Sequence, residues 1–584
     1  MKTLSSLVAA AGARFVQKTA ARWKDGPLTH SPNRRPMAAG LLMGVLAAAV
    51  VAAAGLAQTG QGPSSSESPY LVPVAPGVWL TSILTVGDTP TNDPNYRMVG
   101  FPDGLGAFLN PRWRDEADDR ATAGELGKRR RTFTLLSNHE LVTAVGRVRD
   151  HGAMGAFVSM WTIDARTLEV VEGQDLIQWI RTNPDGDQVW NPAAKGIAIS
   201  RLCSADLPPP SALHNERSGR GYRGRIFFSG EESGTEGRPF AHVLDGTSWE
   251  VPHLGNMAYE NILLNPATGD KTIAIVTDDG PGAQVYTYVG TKRRTGNPVQ
   301  RAGLANGLLY GIKVAGGMPQ EPEALLAQEP IRFELAEILA AAQKTGAQIE
   351  TDSDAAEVTH FLRPEDGSWD PRHPRDFYFV TTDNYDSTKP DGASVPGGTS
   401  GYSRLWRLHF DDLRHLETGG TITPLLDGRA EPVQMLDNMT VSPTGHILLQ
   451  EDPGNQTRSA RIWLYTIATD TLTLLAKHDP QRFGDTGQPP VAAPATTDEE
   501  SSGIIPAFDI LGPGWFLLDV QAHIAPRPPF TALQPELVED GQYLAMYVPQ
   551  TDWRRHDGHD EDDEDEDDED EDEDDDASGP LGRN

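Results

Sequence analysis

The sequence predicts an all-β protein, a six-bladed β-propeller with loop and short helical insertions, and three observations carry that expectation. A short apolar or β-branched run followed at once by acids or amides occurs six times; three of these runs are followed by a second strand-like run; and no convincing βαβ helices lie between them. A chain of 584 residues with 58 Gly and 45 Pro is too long for one minimal core and favours turns over helices.

The six runs are TFTLLSNHE (132–140), RIFFSGEE (225–232), TIAIVTDDG (272–280), DFYFVTTDN (376–384), HILLQEDPGN (446–455) and WFLLDVQAH (515–523). The following strands are QVYTYVG (284–290), SRLWRLHF (403–410) and RIWLYTI (461–467), a β-meander signature. One segment, RFELAEILAAAQKT (332–345), reads as a helical insertion. In a propeller the strands nearest the axis run in one direction, so groups just past their ends meet at a single mouth. Carboxylates far apart in the chain would converge there, and a confined set of them needs cations or protons to coexist. Oxygen-rich, calcium-like coordination follows, with room for a transition metal. Each acid alone could simply cap a turn, as Asp and Asn do. Glu is a poorer turn former, which sets Glu140, Glu231, Glu232 and Glu451 apart.

The net charge of −33 supports cation chemistry and argues against nucleic acid as a partner, because an acidic body repels phosphate backbones. Part of it is a tail effect: residues 557–576 hold 18 acids and no base, leaving −15 on the rest. The 551–584 segment cannot bury apolar surface and reads as a disordered acidic tail whose role is solubility. At the other end, residues 37–57 form an uncharged stretch after Arg34 and Arg35, with small residues at Gly55-Leu56-Ala57. Residues 1–57 therefore read as a basic leader plus export signal, with paired arginines pointing to the twin-arginine route. Left uncleaved, 37–57 could span a bilayer once as a membrane anchor. Residues 58–69 read as a flexible linker and 70–550 as the propeller, placed outside the cytoplasm, in the periplasm or beyond. A single cysteine, Cys203, excludes an intrachain disulfide; such a residue usually packs as a small hydrophobe.

The motifs MVGFPDGLGAF (98–108), LLSNHEL (135–141), FFSGEESG (227–234), LGNMAYENILLNP (254–266), RPED (363–366), DNMTVSPTG (437–445), ESSGI (500–504) and LGPGWFLLDVQAH (511–523) resemble, in shared order, the PhoX-type alkaline phosphatases. These are secreted calcium- and iron-dependent monoesterases on a six-bladed propeller, and the resemblance runs from about Tyr70 to about Val548. It implies metal ligands at Glu140, Glu231, Glu232, Glu260 and Glu365, with Glu232 the better iron ligand of its pair. It also implies a bridging role for Cys203 and secondary acidic candidates at Asp278 and Asp279. Arg363 is implied to clamp a phosphate oxygen. The surroundings of Cys203 (SRLCSADLPPP) lack the family's glycines, Tyr259 stands where the family has histidine, and Asp366 where it has tryptophan.

The implied activity is hydrolysis of a small phosphomonoester by a monomer holding Ca2+ and Fe3+, in which clustered cations neutralise phosphate oxygens and activate water. No Gly-x-Ser-x-Gly elbow, Walker loop or HExxH pair competes with this reading. Two alternatives stay open on sequence alone. One is a non-catalytic calcium-stabilised propeller that binds a partner or polymer; the other is a calcium-dependent lactonase on a similar propeller.

Overall fold

Mostly antiparallel sheets, which make six units when the nine-stranded one is taken as two, account for nearly all regular structure among the described residues, and each unit begins with an axial strand, one beside those that open its neighbours. The computed structural model describes residues 58–111, 131–280, 283–316, 329–382, 403–454, 458–491, 495–549 and 553. The export stretch 37–57 and the acidic run 557–576 lie outside the described residues.

Five of the axial strands are Pro102–Leu109, Tyr259–Leu264, Pro364–Trp369, Leu436–Val441 and Glu499–Pro506. The sixth place is taken by residues 202–206, which bridge through Leu202 and Asp206 to Glu231 and Phe228. Neighbouring axial strands pack against one another in chain order, and Glu499–Pro506 returns to Pro102–Leu109. The second strands are Thr132–His139, Ile226–Gly230, Lys271–Asp278, Asp376–Thr381, His446–Glu451 and Trp515–Ala522. These are the six recurrent runs of the sequence, so each run lies one strand outward from the axis rather than on it. Because it is antiparallel to its axial partner, its far end still reaches the mouth where the axial strand begins. The all-β, propeller-like expectation is met; a count of six depends on taking the single nine-stranded sheet as two units.

What fuses those two units is the segment expected to be helical. Ile331–Ile338 is a strand paired to Leu308–Val314 on one side and Gly420–Asp427 on the other. Phe333 and Ile338 are buried while Glu334 and Glu337 face out, and burial of these apolar residues overrides the helix propensity of the Ala-rich stretch that follows. The helix falls later, at Gly346–Ala355, where Thr345 and Gln348 form a capping box.

The run expected to be a linker is ordered instead. Gln58–Gln61 pairs in parallel with Trp79–Thr85, and at Gly62 an added Cβ would sit 2.3 Å from the Ser82 carbonyl, so only glycine allows the approach. The same sheet holds Asp540–Tyr547, Trp515–Ala522 and Glu499–Pro506, so strands from both ends of the chain close the ring. Leu71–Pro73 adds a second closure by pairing with Thr471–His478.

The cores lie between adjacent units. Phe377, Phe379, Trp406 and Trp369 make one aromatic face of a single unit, with ring centroids 5.1 to 6.3 Å apart, and share a core with Leu263, Ile273, Ile275 and Val285 of the unit before it. Strands buried on both faces are rigid supports, which fixes the positions of the groups at their ends.

Candidate metal centre

The second residue of each axial strand carries the chemistry. Asp103, Glu260, Glu365, Asp437 and Glu500 hold that place in the five named strands, and Cys203 holds it in 202–206. In all five named strands the pairing register shifts at or just past this acid, between Pro102 and Leu105, Tyr259 and Asn261, Pro364 and Gly367, Leu436 and Met439, and Ser501 and Ile504. A bulge releases a side chain from the sheet face and re-aims it, here toward the axis.

The approach to each bulge repeats too. Phe101, Arg201, Arg363 and Met435, each two residues before a site residue, have φ of 53°, 43°, 60° and 45°. Non-glycine residues rarely adopt this left-handed conformation, and such strain gathers at functional sites. Their carbonyls are held by the second strands: Glu140 N–H donates to Phe101 (3.0 Å), Glu232 to Arg201 (2.8 Å), Thr382 to Arg363 (3.0 Å) and Asp452 to Met435 (2.9 Å). Asp279 N–H donates to Ala258 in the same way, at 2.9 Å. Each of these bonds locks a second-strand residue beside an axial one, so the mouth is built from doublets: Asp103 with Glu140, Cys203 with Glu232, Glu260 with Asp279, and Asp437 with Asp452.

Among the described residues four groups have ligand atoms within 4.8 Å of one another, and two of them lie at the mouth: Asp103, Glu140 and Cys203, and Glu260, Glu365 and Asp437. Arg201 links the first to Glu232, its Nη2 lying 2.5 Å from both Glu140 and Glu232, while Cys203 Sγ donates to Glu232 at 2.9 Å. Ser204 donates to Glu260 and accepts from Asn438 Nδ2 at 2.7 Å, joining the groups. Arg363 grips Asp279 with two bonds of 2.8 Å and reaches Glu365 at 3.1 Å. Glu500 accepts from Ser502 at 2.6 Å and faces His523 at 3.6 Å.

Among the described residues, nine carboxylates of this mouth (103, 140, 232, 260, 279, 365, 437, 452 and 500) thus face two arginines and His523. Burial pushes Asp103, Glu260, Glu365 and Asp437 well above the usual carboxylate range, and neighbouring acids add to it: Glu500 for Asp103, Glu232 for Glu260, Asp279 for Glu365 and Glu260 for Asp437. Burial likewise lifts Glu232 and Asp452 to about 7 and raises the Cys203 thiol. His523, held between Glu500 and Glu539, is raised to about 11. Without cations such a set keeps its protons; divalent or trivalent ions are what let the carboxylates ionise together. The donor chemistry fits them. Glu260, Glu365 and Asp437 offer oxygen alone, suited to a hard ion such as calcium, whereas Asp103, Glu140 and Cys203 add a sulfur that a transition metal accepts.

Of the residues singled out in the sequence, Glu140, Cys203, Glu232, Glu260, Asp279, Glu365 and Arg363 are brought together here. Glu231 is not: Arg238 binds it through two bonds of 2.6 and 2.8 Å, and Ser200 N–H adds a third. Asp278 is a backbone clamp, accepting from Ala258 and Gly280, and burial raises it to about 8. Glu451 pairs with Arg458 and Trp463 away from the mouth, and its neighbour Asp452 takes the place expected of it. Sequence reasoning missed Asp103, Asp437, Glu500, Arg201 and Ser204. The three acids sat inside motifs already noted, but nothing local marks a bulge. Tyr259 and Asp366, the departures, are structural: the Tyr259 hydroxyl donates to Gly255 at 2.6 Å, and Asp366 accepts from Asn261 and the Met439 N–H, tying axial strands together.

Fold and site together define a propeller-like all-β protein with candidate carboxylate metal sites at its mouth. The family match is specific: the model of the family described as Alkaline phosphatase PhoX matches residues 241–488. The resemblance read from the motifs is thereby borne out, and with it the enzyme class, a hydrolase of the phosphatase type. A solved structure of Pseudomonas fluorescens PhoX in complex with vanadate, a transition state analogue, superposes with a TM-score of 0.55 at 12% identity, covering 81% of this chain and 96% of its own. At that identity it shows the fold. A glucose dehydrogenase aligns over 59% of this chain and 95% of its own at 12% identity, but with a TM-score of 0.25. The tricorn protease aligns over 68% and 42% at 8% identity and a TM-score of 0.14; neither carries an argument. No curated protein matches the chain.

Proposed function

We propose that this chain is an exported phosphomonoesterase whose doublet-built mouth holds calcium through Glu260, Glu365 and Asp437 and a transition metal, iron by resemblance, through Asp103, Glu140 and Cys203. The observation that carries the reading is that Glu260, Glu365 and Asp437 fall within the matched residues 241–488, while Asp103 and Glu140 of the other group lie in motifs that resemble the same family. The vanadate bound by the P. fluorescens protein, a stand-in for phosphate in transit, supports a phosphoester as substrate.

When bound, the cations would neutralise phosphate oxygens and lower the pKa of water at the site. The protein's own part is positioning. Arg201 borders a cavity of about 510 Å3 together with Glu140, Asp452, Glu500 and His523, and its guanidinium suits a phosphate oxygen. Arg363, expected to do this, holds Asp279 and Glu365 as Arg201 holds Glu140 and Glu232; of the two, Arg201 is the one that borders the cavity, and we assign Arg363 to orienting ligands. Glu500 and Glu539 favour the protonated form of His523, whose Nδ1 lies 2.8 Å from Glu539 and whose Nε2 lies 3.6 Å from Glu500, which fixes that wall of the cavity.

Elemental analysis and phosphate release from a generic monoester test the reading. Glu260→Gln and Glu365→Gln should each lose bound calcium and lower turnover by more than about 100-fold. Folded variants with full metal content and full turnover would refute it. Export rests on residues 37–57; among the described residues no helix is long and apolar enough to cross a membrane. N-terminal sequencing of protein recovered outside the cytoplasm should find a start near residue 58, unless the stretch is kept as an anchor.

A further inference from the structure

The cavity at the mouth has a mixed lining. Beside the ionisable Glu140, Arg201, Asp452, Glu500, His523 and Glu539 it is lined by Phe101, Leu141, Val142, Val145 and Val538, which make an apolar wall. The geometry points to a leaving-group subsite: this wall receives the alcohol portion of a phosphomonoester, and the preferred substrates are esters of aromatic or bulky apolar alcohols. The inference rests on the phosphatase reading above and adds the substrate class.

Three features show that the wall is built rather than incidental. Val142 is 47% exposed although its neighbour Leu141 is buried, so the chain presents an apolar side chain beside a highly charged site. The wall is tied to the metal centre through the backbone: Arg201 N–H donates to the Leu141 carbonyl at 3.0 Å, while the same residue's guanidinium bridges Glu140 and Glu232. Finally, its two flanks are held in strained backbone. Phe101 has φ of 53° and Val538 has φ of 66°, a conformation that a β-branched residue strongly disfavours. Both are fixed by their surroundings. The Phe101 ring lies against His523 with centroids 5.2 Å apart, and Val538 N–H donates to Gln534 at 2.7 Å. A Cβ placed at Gly146 would lie 3.2 Å from Leu141 and 3.9 Å from Val538, so glycine there leaves the two free to form a continuous surface.

A polar alcohol gains nothing from this surface and must give up water to approach it, whereas an aromatic ring buries apolar area on Phe101, Val142 and Val145. The phosphoryl end would meet Arg201 and the cations held by the ligand carboxylates in the charged part of the same space. A cavity of about 510 Å3 holds both ends at once.

The test compares kcat/KM for 2-naphthyl phosphate and glycerol phosphate on the metal-loaded full chain and on Val142→Ser. The aryl ester should be preferred by at least about tenfold in the parent, and Val142→Ser should lower the aryl-to-glycerol ratio roughly tenfold, the scale of losing a small apolar contact in a specificity pocket. Equal kcat/KM for the two esters in the parent, or a ratio unchanged in the variant, overturns the inference and leaves the phosphatase reading standing. Release of phosphate from neither ester overturns both.

Discussion

Glu231 and Glu232 are adjacent in sequence and opposite in role. Glu231 is neutralised by Arg238 within its own unit, whereas Glu232 reaches Cys203 and Arg201 at the mouth. Alternation along the strand end sends them to different sides, and no property of the dipeptide says which goes where. Their substitutions should separate accordingly. Glu231→Gln should leave metal content unchanged and lower Tm by a few degrees, because Arg238 loses its partner in a largely buried pair. Cys203→Ser should lower the transition-metal content while leaving calcium in place, since the oxygen-only group does not include the sulfur. Elemental analysis with a thermal melt reads both. Loss of transition metal in the Glu231 variant but not in the Cys203 variant would reverse the assignment.

At the scale of the element, the axial strands work because their first turns are crowded. A Cβ added at Gly104 would lie 2.4 Å from Ala205 N and 2.5 Å from Ser204 C, both backbone atoms. Glycine at 104 therefore sets how near 202–206 lies to Pro102–Leu109, and so how near Cys203 comes to Asp103. Gly104→Ala should push the segment outward, cost about 1 to 3 kcal/mol by overpacking and lower transition-metal affinity. Metal titration followed by a denaturant melt checks it; an unchanged affinity in a destabilised variant would show that the spacing of the first ligand group does not depend on this contact. The same crowding explains why the sequence pointed to the second strands first. Their long apolar runs are conspicuous, while the axial strands begin with a bulge and break their own pattern within two or three residues.

Closure makes the whole molecule answer to the charge it encloses. Stripped of cations, the folded protein keeps protons that the unfolded chain loses. Burial raises Glu232, Asp366 and Asp452 to about 7 and Asp278 and Glu499 to about 8, above the ordinary carboxylate values of the unfolded chain. Their contribution to stability is therefore lost as pH rises through 7 to 8. Burial lowers His139, His242 and His478 to about 3, so these histidines are neutral in both states above about pH 6.5 and act only below it. From pH 6.5 to 8.5 the raised acids set most of the slope, joined in the same sense by His523, raised to about 11, and opposed near pH 8 by Lys292, which burial lowers to about 8: chelated protein should lose stability with rising pH, by at most about 1.4 kcal/mol per pH unit for each group, and added calcium should flatten the curve. Thermal melts with and without chelator decide it; a chelated protein that grows more stable over this range would contradict the account.

Short apolar or β-branched runs, turn residues and acids at the run ends sufficed to predict an all-β protein with converging carboxylates, because a strand buried on both faces writes its apolar run into contiguous sequence. The motif order added the phosphatase class. Only the tertiary structure decided which acids face the axis. Asp103, Asp437 and Glu500 are aimed by bulges, and Phe101, Arg201, Arg363 and Met435 hold left-handed backbone that no single residue prefers. That conformation is imposed by bonds from residues at the ends of second strands 17 to 39 positions along the chain in these cases, such as Glu140 to Phe101 and Asp452 to Met435, and an energy that exists only after two strands have paired leaves no mark on either strand alone.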